Sequence, residues 1–164
     1  MELRGNNVLV TGASSGLGLE IARQLARDHA AHVIPVARRV DRLMALRDEV
    51  QTATTRVMPV AADLTKLDDI DRVVEEAQRN GPLHAAVLNA GVTHFGDWDE
   101  LSWADFEQML ALNVTSVVRL ATRILPHLVE QQRGGGLLIV ASVAGLTPVP
   151  YQTAYAGTKA FLVN

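Results

Sequence analysis

Five short apolar runs alternate with stretches whose apolar residues recur every three or four positions, and this alternation restricts the possible folds more than any other feature. The runs are Asn7 to Val10, His32 to Ala37, Arg56 to Ala62, Leu83 to Leu88 and Leu137 to Ala141. Each is bounded by Gly, Pro or Asp and reads as a buried strand. Between them, Gly16 to His29, Asp41 to Val50, Leu67 to Arg79 and Ser102 to Gln132 carry helical periodicity, and Thr153 to Asn164 reads as a further helix. Thr65 and Ser102 each stand three residues before an aspartate, Asp68 and Asp105, which predicts side-chain caps on the helices they precede. Strict alternation of this kind predicts the α/β class, a doubly wound parallel sheet of five strands with helices on both faces and right-handed crossovers. No repeat, linker or low-complexity segment divides the chain, so residues 1–164 read as a single domain.

Composition narrows the function. The chain has 48% hydrophobic and 20% charged residues, enough apolar side chains for a packed core, and a net charge of only -3 with scattered basic residues. That balance argues against a nucleic-acid or polybasic membrane-binding surface. With no cysteine, disulfides, thiolate catalysis and cysteine metal sites are excluded. The five histidines form no ligand spacing, and no metal site is expected. The start, Met1-Glu2-Leu3-Arg4-Gly5, does not read as a signal peptide, and no apolar run reaches membrane-spanning length. A cytoplasmic protein is the default expectation.

The first strand leads directly into Thr11-Gly12-Ala13-Ser14-Ser15-Gly16-Leu17-Gly18 and then into an amphipathic helix with Ile21, Ala22 and Leu25 on its apolar side. Glycines at such a turn permit close backbone approach, and the free N–H groups at the helix start suit a pyrophosphate, as in Rossmann-like dinucleotide sites. Twenty residues beyond Gly18, where such folds place an acid for the NAD ribose, stand Arg38 and Arg39. Arginines there suit a 2'-phosphate, so NADP is the preferred cofactor and NAD a possible one. Asp41 is a competing ribose ligand or a helix cap.

The chain has only two tyrosines and two lysines, yet Tyr155 and Lys159 are four residues apart, a spacing that arises by chance roughly once in eighty. On a helix both point into the same space. An ammonium ~4 Å from a phenol, at an effective dielectric of ~20, favours its ionised form by up to ~4 kcal/mol. A general acid/base is therefore in reach. Ser142 precedes Tyr155 by thirteen residues, and the loop after it, Val143 to Pro150, is mostly apolar and suits a lipophilic carbonyl compound. Phe106, Leu110, Asn113, Val117, Leu120 and Ile124 fall on one helical stripe, which buries the Asn113 amide and obliges it to find partners in backbone, water or active site. His94 and Phe95 follow the fourth strand closely enough to reach the same cleft or to form a surface loop.

Together these residues resemble the short-chain dehydrogenase/reductase family in its compact, non-extended branch. The match comprises TGASSGLG at Thr11 to Gly18, Asp63 and Leu64 after the third strand, Asn89-Ala90-Gly91 after the fourth, Asn113, Ser142 and the Tyr155/Lys159 pair. The resemblance implies that Tyr155 is the proton donor in ketone reduction, that Ser142 hydrogen-bonds the substrate oxygen, that Lys159 binds the nicotinamide ribose and that Asn113 holds a water in the proton relay. It also implies that Asp63 and Leu64 face the adenine, that Asn89, Ala90 and Gly91 shape the cofactor cleft, and that the protein forms homo-oligomers. Its partner would be a small alcohol or carbonyl compound. An inactive dinucleotide-binding or interaction module, and an epimerase or dehydratase with the same triad, are the alternatives. Against the second, the glycines follow TGxxxGxG and not the extended-branch pattern.

Relatives of that family continue further, so the chain is expected to be incomplete at its C-terminus, five residues beyond Lys159. The strand Leu137 to Ala141 is then an apolar sheet edge, a feature that recruits partners or aggregates.

Overall fold

A computed structural model describes residues 2–97 and 99–164; Met1, in the N-terminal stretch read above, lies outside them. The strands are β1 (Asn7–Thr11), β2 (His32–Ala37), β3 (Val60–Ala61), β4 (Leu83–Leu88) and β5 (Gly136–Ile139). They form one five-stranded sheet in the order β3-β2-β1-β4-β5, and every pairing is parallel. Helices α1 (Gly16–Arg27), α2 (Val40–Val50), α3 (Leu67–Arg79), α4 (Trp103–Leu110), α5 (Ser116–Glu130) and α6 (Thr153–Val163) connect and cover it. This is the doubly wound α/β architecture read from the alternation.

Successive residues of a strand point to opposite faces, and the two cores divide accordingly. Val8 and Val10 of β1 pack with Val33, Ala22, Leu43 and Leu46 under α1 and α2. Leu9 packs on the other face with Ile34, Ile70, Val73, Leu120 and Ile124 under α3 and α5. Each fully buried Leu, Ile or Val contributes ~1.5–3 kcal/mol from its apolar area alone. Across the outer surface, Asp71 of α3 accepts hydrogen bonds from Arg119 at 2.6 Å and Arg123 at 3.2 Å of α5, which binds the two helices of that layer together.

Two departures from the sequence reading have local causes. The third strand, expected over Arg56 to Ala62, shrinks to two residues and an isolated bridge between Val33 and Val57. Val33 exchanges hydrogen bonds with Arg56 and Met58, but Pro35 has no N–H for the next rung on that side, so the ladder breaks until Val36 meets Val60. The long helix expected over Ser102 to Gln132 is divided by a wide π turn at Ala111–Thr115. Such a turn inserts a residue into the helical register. Before it Met109 faces inward and Leu110 is 41% exposed, so Leu110 leaves the predicted stripe; within it Asn113, and after it Val117, Leu120 and Ile124, are buried as expected.

The predicted caps also divide. Ser102 accepts the Asp105 backbone N–H at 3.1 Å and donates its hydroxyl to the Asp105 carboxylate. Thr65 does not cap α3, whose cap position is the next residue, Lys66; the Thr65 hydroxyl instead donates to Asp63 at 2.8 Å. Among the described residues no helix is long and apolar enough to cross a membrane.

Candidate active site

The strand order reverses between β1 and β4, and in parallel sheets the crevice beyond the strand ends at that point is where ligands sit. Thr11 ends β1 and holds the crevice wall together. Its hydroxyl donates to Val87 O at 3.4 Å and accepts the backbone N–H of Asn89 at 2.9 Å and of Ala90 at 3.0 Å. Asn89 Nδ2 returns a bond to Thr11 O at 3.0 Å. The glycine turn can lie this close to β4 only without side chains: a Cβ at Gly12, where φ is +71°, would stand 2.8 Å from Asn89 Nδ2, and one at Gly18 would stand 2.5 Å from the Gly12 carbonyl oxygen.

Above the strand ends lies a cleft of about 510 Å³. The glycine turn contributes Gly12, Ser14, Ser15 and Leu17 to its lining, the segment after β2 contributes Arg38 and Arg39, and the segment after β3 contributes Asp63 and Leu64. Asn89, Ala90 and Gly91 form the wall after β4, and Tyr155 and Lys159 of α6 close the far end. Gly16, exposed at φ +58°, and Gly18, buried beneath Gly12, are not part of the lining. Arg39 reaches over the turn, with Nη2 2.9 Å from both the Ser14 and the Ser15 hydroxyls. Neither serine caps α1, so both hydroxyls are available to accept. Asp41 does not cap α2 either; that helix starts from Arg39, and the Asp41 side chain is 77% exposed in its first turn.

Burial alone would raise the Asp63 pKa, but hydrogen bonds from the Thr65 hydroxyl and backbone N–H, with the Arg38 charge nearby, hold it below the usual carboxylate range. Its backbone N–H is taken by Asp69 at 2.7 Å. The Asp63 carboxylate is thus fixed and ionised at the rim of the cleft.

At the far end the π turn buries Asn113 completely. Its Oδ1 accepts the Val92 N–H at 2.9 Å, and its Nδ2 donates to Val92 O at 2.8 Å and to Thr158 Oγ1 at 3.0 Å. The buried amide has therefore found partners, in backbone and in a side chain. A Cβ on Gly91 would lie 3.2 Å from Asn113 Oδ1 and 3.6 Å from Lys159 Nζ, so the loop after β4 rests on both groups. Lys159 is 4% exposed, donates to Val140 O at 2.9 Å, and stands 5.9 Å from the centre of the Tyr155 ring. Burial pushes its ammonium pKa down.

Ser142 begins a 3-10 turn, Val143–Gly145, that packs against α6. Its Oγ accepts the Ala144 N–H at 3.2 Å, which leaves the hydroxyl hydrogen for another acceptor. Ser142 and Asn113 are not part of the cleft lining itself. Phe95 stacks on Tyr151 at 5.6 Å, and Tyr151 sits in the left-handed region at φ +64°, where its carbonyl accepts the Gly96 N–H at 3.0 Å. His94 does not line the cleft.

Sequence reasoning passed over two polar residues of this assembly. Thr11 carried a signal, since a polar residue closing an all-buried strand needs partners. Thr158 carried none beyond its place between Tyr155 and Lys159.

The family model described as short chain dehydrogenase matches residues 6–164. An uncharacterized oxidoreductase of Myxococcus xanthus is 39% identical over 162 residues, 98% of this chain and 63% of that protein. The 3-oxoacyl (acyl-carrier-protein) reductase of Agrobacterium tumefaciens, solved with NADP bound, superimposes with a TM-score of 0.88 at 31% identity, covering 97% of this chain and 61% of its own. The 3-ketoacyl-(acyl-carrier-protein) reductase of Brucella melitensis, solved with NADH, gives 0.90 at 30% identity, with coverage of 98% and 67%. The chain spans about half to two thirds of the length of the curated relatives it matches.

Proposed function

The chain belongs to the short-chain dehydrogenase family, and from that premise we propose that it is an oxidoreductase interconverting an alcohol and a ketone or aldehyde, with Tyr155 as acid and base. The observation that carries this reading is one continuous cleft with the glycine turn and arginines at one end and Tyr155 with Lys159 at the other.

The residues fit a nicotinamide dinucleotide. The turn at Gly12 and Gly18 has no room for side chains, and Ser15 and Leu17 at the start of α1 line the cleft, which suits a pyrophosphate at the helix N-terminus. Arg38 and Arg39 suit a 2'-phosphate, and Arg39 already reaches the glycine turn by bonding the Ser14 and Ser15 hydroxyls. NADP is therefore the preferred cofactor and NAD an accepted one. Asp63 and Leu64 line the cleft together with Arg38 and are assigned to the adenine, and Asn89, Ala90 and Gly91, which also line it, to the middle of the dinucleotide. Bound there, the dinucleotide supplies the hydride for reduction or receives it in oxidation.

The protein handles the proton. In reduction the Tyr155 hydroxyl gives its proton to the carbonyl oxygen as that oxygen gains charge, and in oxidation it takes the proton back from the alcohol. Lys159 sets a buried positive charge 5.9 Å from the centre of the Tyr155 ring. Its amine is also the donor available to a ribose hydroxyl. Ser142 has a hydroxyl hydrogen to offer the substrate oxygen, because its lone pair already serves Ala144. Asn113 supports a water through its backbone, since both hydrogens of its side-chain amide are committed. Exposed Val143 and Leu146 beside Ser142 favour a lipophilic substrate.

Titration with NADPH and NADH, followed by nicotinamide fluorescence and thermal shift, and then a carbonyl screen, tests the reading. Tighter binding of NADPH together with turnover of a ketone or aldehyde is expected. Binding without turnover would identify an inactive dinucleotide-binding module instead, and binding of neither would overturn the cofactor assignment.

A further inference from the structure

Thr158 lies between the two residues on which the proposed chemistry depends, and it is 4% exposed. A threonine on a helix commonly returns its hydroxyl to a carbonyl one turn back. Here that local bond has a second consequence. The Thr158 hydroxyl donates to Tyr155 O at 2.7 Å, which uses its only hydrogen and turns its lone pairs toward the π turn, where Asn113 Nδ2 donates to it at 3.0 Å. Asn113 is in turn bonded to both backbone groups of Val92. A line of hydrogen bonds thus runs from the loop after β4, through the π turn, to the first turn of α6.

The direction of this line is fixed at every step. Val92 N–H requires the carbonyl side of the Asn113 amide, and Val92 O requires its nitrogen. The second amide hydrogen then points at α6, where only an acceptor is useful. Asn113 is fully buried, so an Nδ2 hydrogen left without that acceptor would have no water to replace it. Lys159, the next residue, binds Val140 O at the end of β5. Helix α6 is therefore tied at two consecutive residues to two different elements, the π turn and the segment that follows β5.

We propose that Thr158 is a positioning residue: its hydroxyl ties the Asn113 turn to the Tyr155 carbonyl and so sets where the Tyr155 side chain stands relative to the cleft. This role rests on the oxidoreductase reading for its catalytic consequence, but the tie itself does not. Loss of the hydroxyl removes both bonds at once while keeping the side-chain shape if the replacement is valine.

The test compares the full chain with Thr158→Val and Thr158→Ser by two readouts. The first is hydrogen exchange of the Val92 amide; the second is kcat and KM with NADPH and a carbonyl substrate. Thr158→Val is expected to speed Val92 exchange about tenfold or more, the scale of one buried hydrogen bond, and to lower kcat by a similar factor with the KM for NADPH unchanged. Thr158→Ser is expected to restore both. If Thr158→Val does not fold, Thr158→Cys replaces it, since a thiol keeps the size with a much weaker donor and acceptor. Equal exchange and equal kcat in wild type and Thr158→Val would overturn the proposal, as would a serine variant that behaves like the valine one. A wild-type chain that turns over no carbonyl compound sinks the oxidoreductase reading alone, because Val92 exchange still decides whether the tie exists.

Discussion

The two ends of the cleft are built differently. At the glycine end, β1 is buried along its whole length, Thr11 and Asn89 bond across to each other, and Gly12 and Gly18 have no space for a Cβ. At the tyrosine end, β5 has no fully buried residue, Leu138 is 56% exposed, and α6 is positioned by the close approach of Gly145 to its backbone and by polar contacts of Lys159 to Val140 O and of Thr158 to Asn113. A fully buried strand carries the first geometry, and a partly exposed one beside a buried line of hydrogen bonds carries the second. Substitutions at the glycine end should therefore change stability and cofactor binding together, and loss of the Tyr155 hydroxyl at the tyrosine end should separate turnover from both.

Tyr155→Phe gives the largest expected effect. Tyr155 enters the internal hydrogen-bond network through its carbonyl, so losing the hydroxyl leaves no buried partner unsatisfied. Turnover should fall ~10²–10⁴-fold, the usual share of a positioned acid or base, while thermal stability stays within about 0.5 kcal/mol. Steady-state kinetics beside an NADPH titration would check this. A parallel loss of cofactor affinity would show that the tyrosine end is not separable from the glycine end.

The next effect sharpens the comparison at the glycine end. Arg39→Ala removes a charge-assisted donor beside Ser14 and Ser15, and NADPH affinity should drop ~10-fold to 100-fold, as for one such bond. NADH affinity should move far less, and Arg38→Ala added to it should widen the gap. Equal losses for both cofactors in a fluorescence titration would mean that Arg39 braces the turn and reads no phosphate.

Glycine replacements test the packing contrast directly. Gly18→Ala would set a Cβ 2.5 Å from the Gly12 carbonyl oxygen, and overpacking of that kind costs ~1–3 kcal/mol. Gly157, inside α6, has nothing within 4 Å of its would-be Cβ, so Gly157→Ala should stabilise by ~0.5–1 kcal/mol through helix propensity. Denaturant midpoints of the two variants should thus move in opposite directions. A shared sign would show that the two ends are packed alike.

The same contrast explains what could be read from the sequence. The strands β2 and β4 and the helix α3 match their predicted limits because apolar runs and helical periodicity are local signals. The glycine turn was legible because strand, glycines and helix are contiguous, and most of its predicted residues line the cleft. The shortened β3 was not, because its cause is a proline on the neighbouring strand. The π turn was not, because periodicity assumes one register along a helix, and Leu110 was misplaced as a result. The Thr158 tie was not, because its partners Asn113 and Tyr155 are distant from each other in sequence and meet only when α6 docks on the π turn.

The smallest effect concerns Lys159. Its pKa is lowered in the folded chain by burial. Between that lowered value and the ordinary lysine value of ~10.4 the unfolded chain binds more protons than the folded one. Stability linked to Lys159 therefore rises with pH across that window and is lowest below it, where both states are protonated and the full cost of the buried charge remains. The bond to Val140 O offsets part of that cost. Lys159→Met should remove this slope, so wild type should gain on the variant as thermal unfolding is repeated at increasing alkaline pH. Gly18→Ala supplies the reference, because the stretch from Thr11 to Gly18 holds no ionisable side chain and its deficit should stay constant with pH. A wild-type minus Lys159→Met difference as flat as that of the glycine variant would mean that the tyrosine end is hydrated, and that the lysine acts on Tyr155 through a solvent-screened charge much weaker than its burial implies.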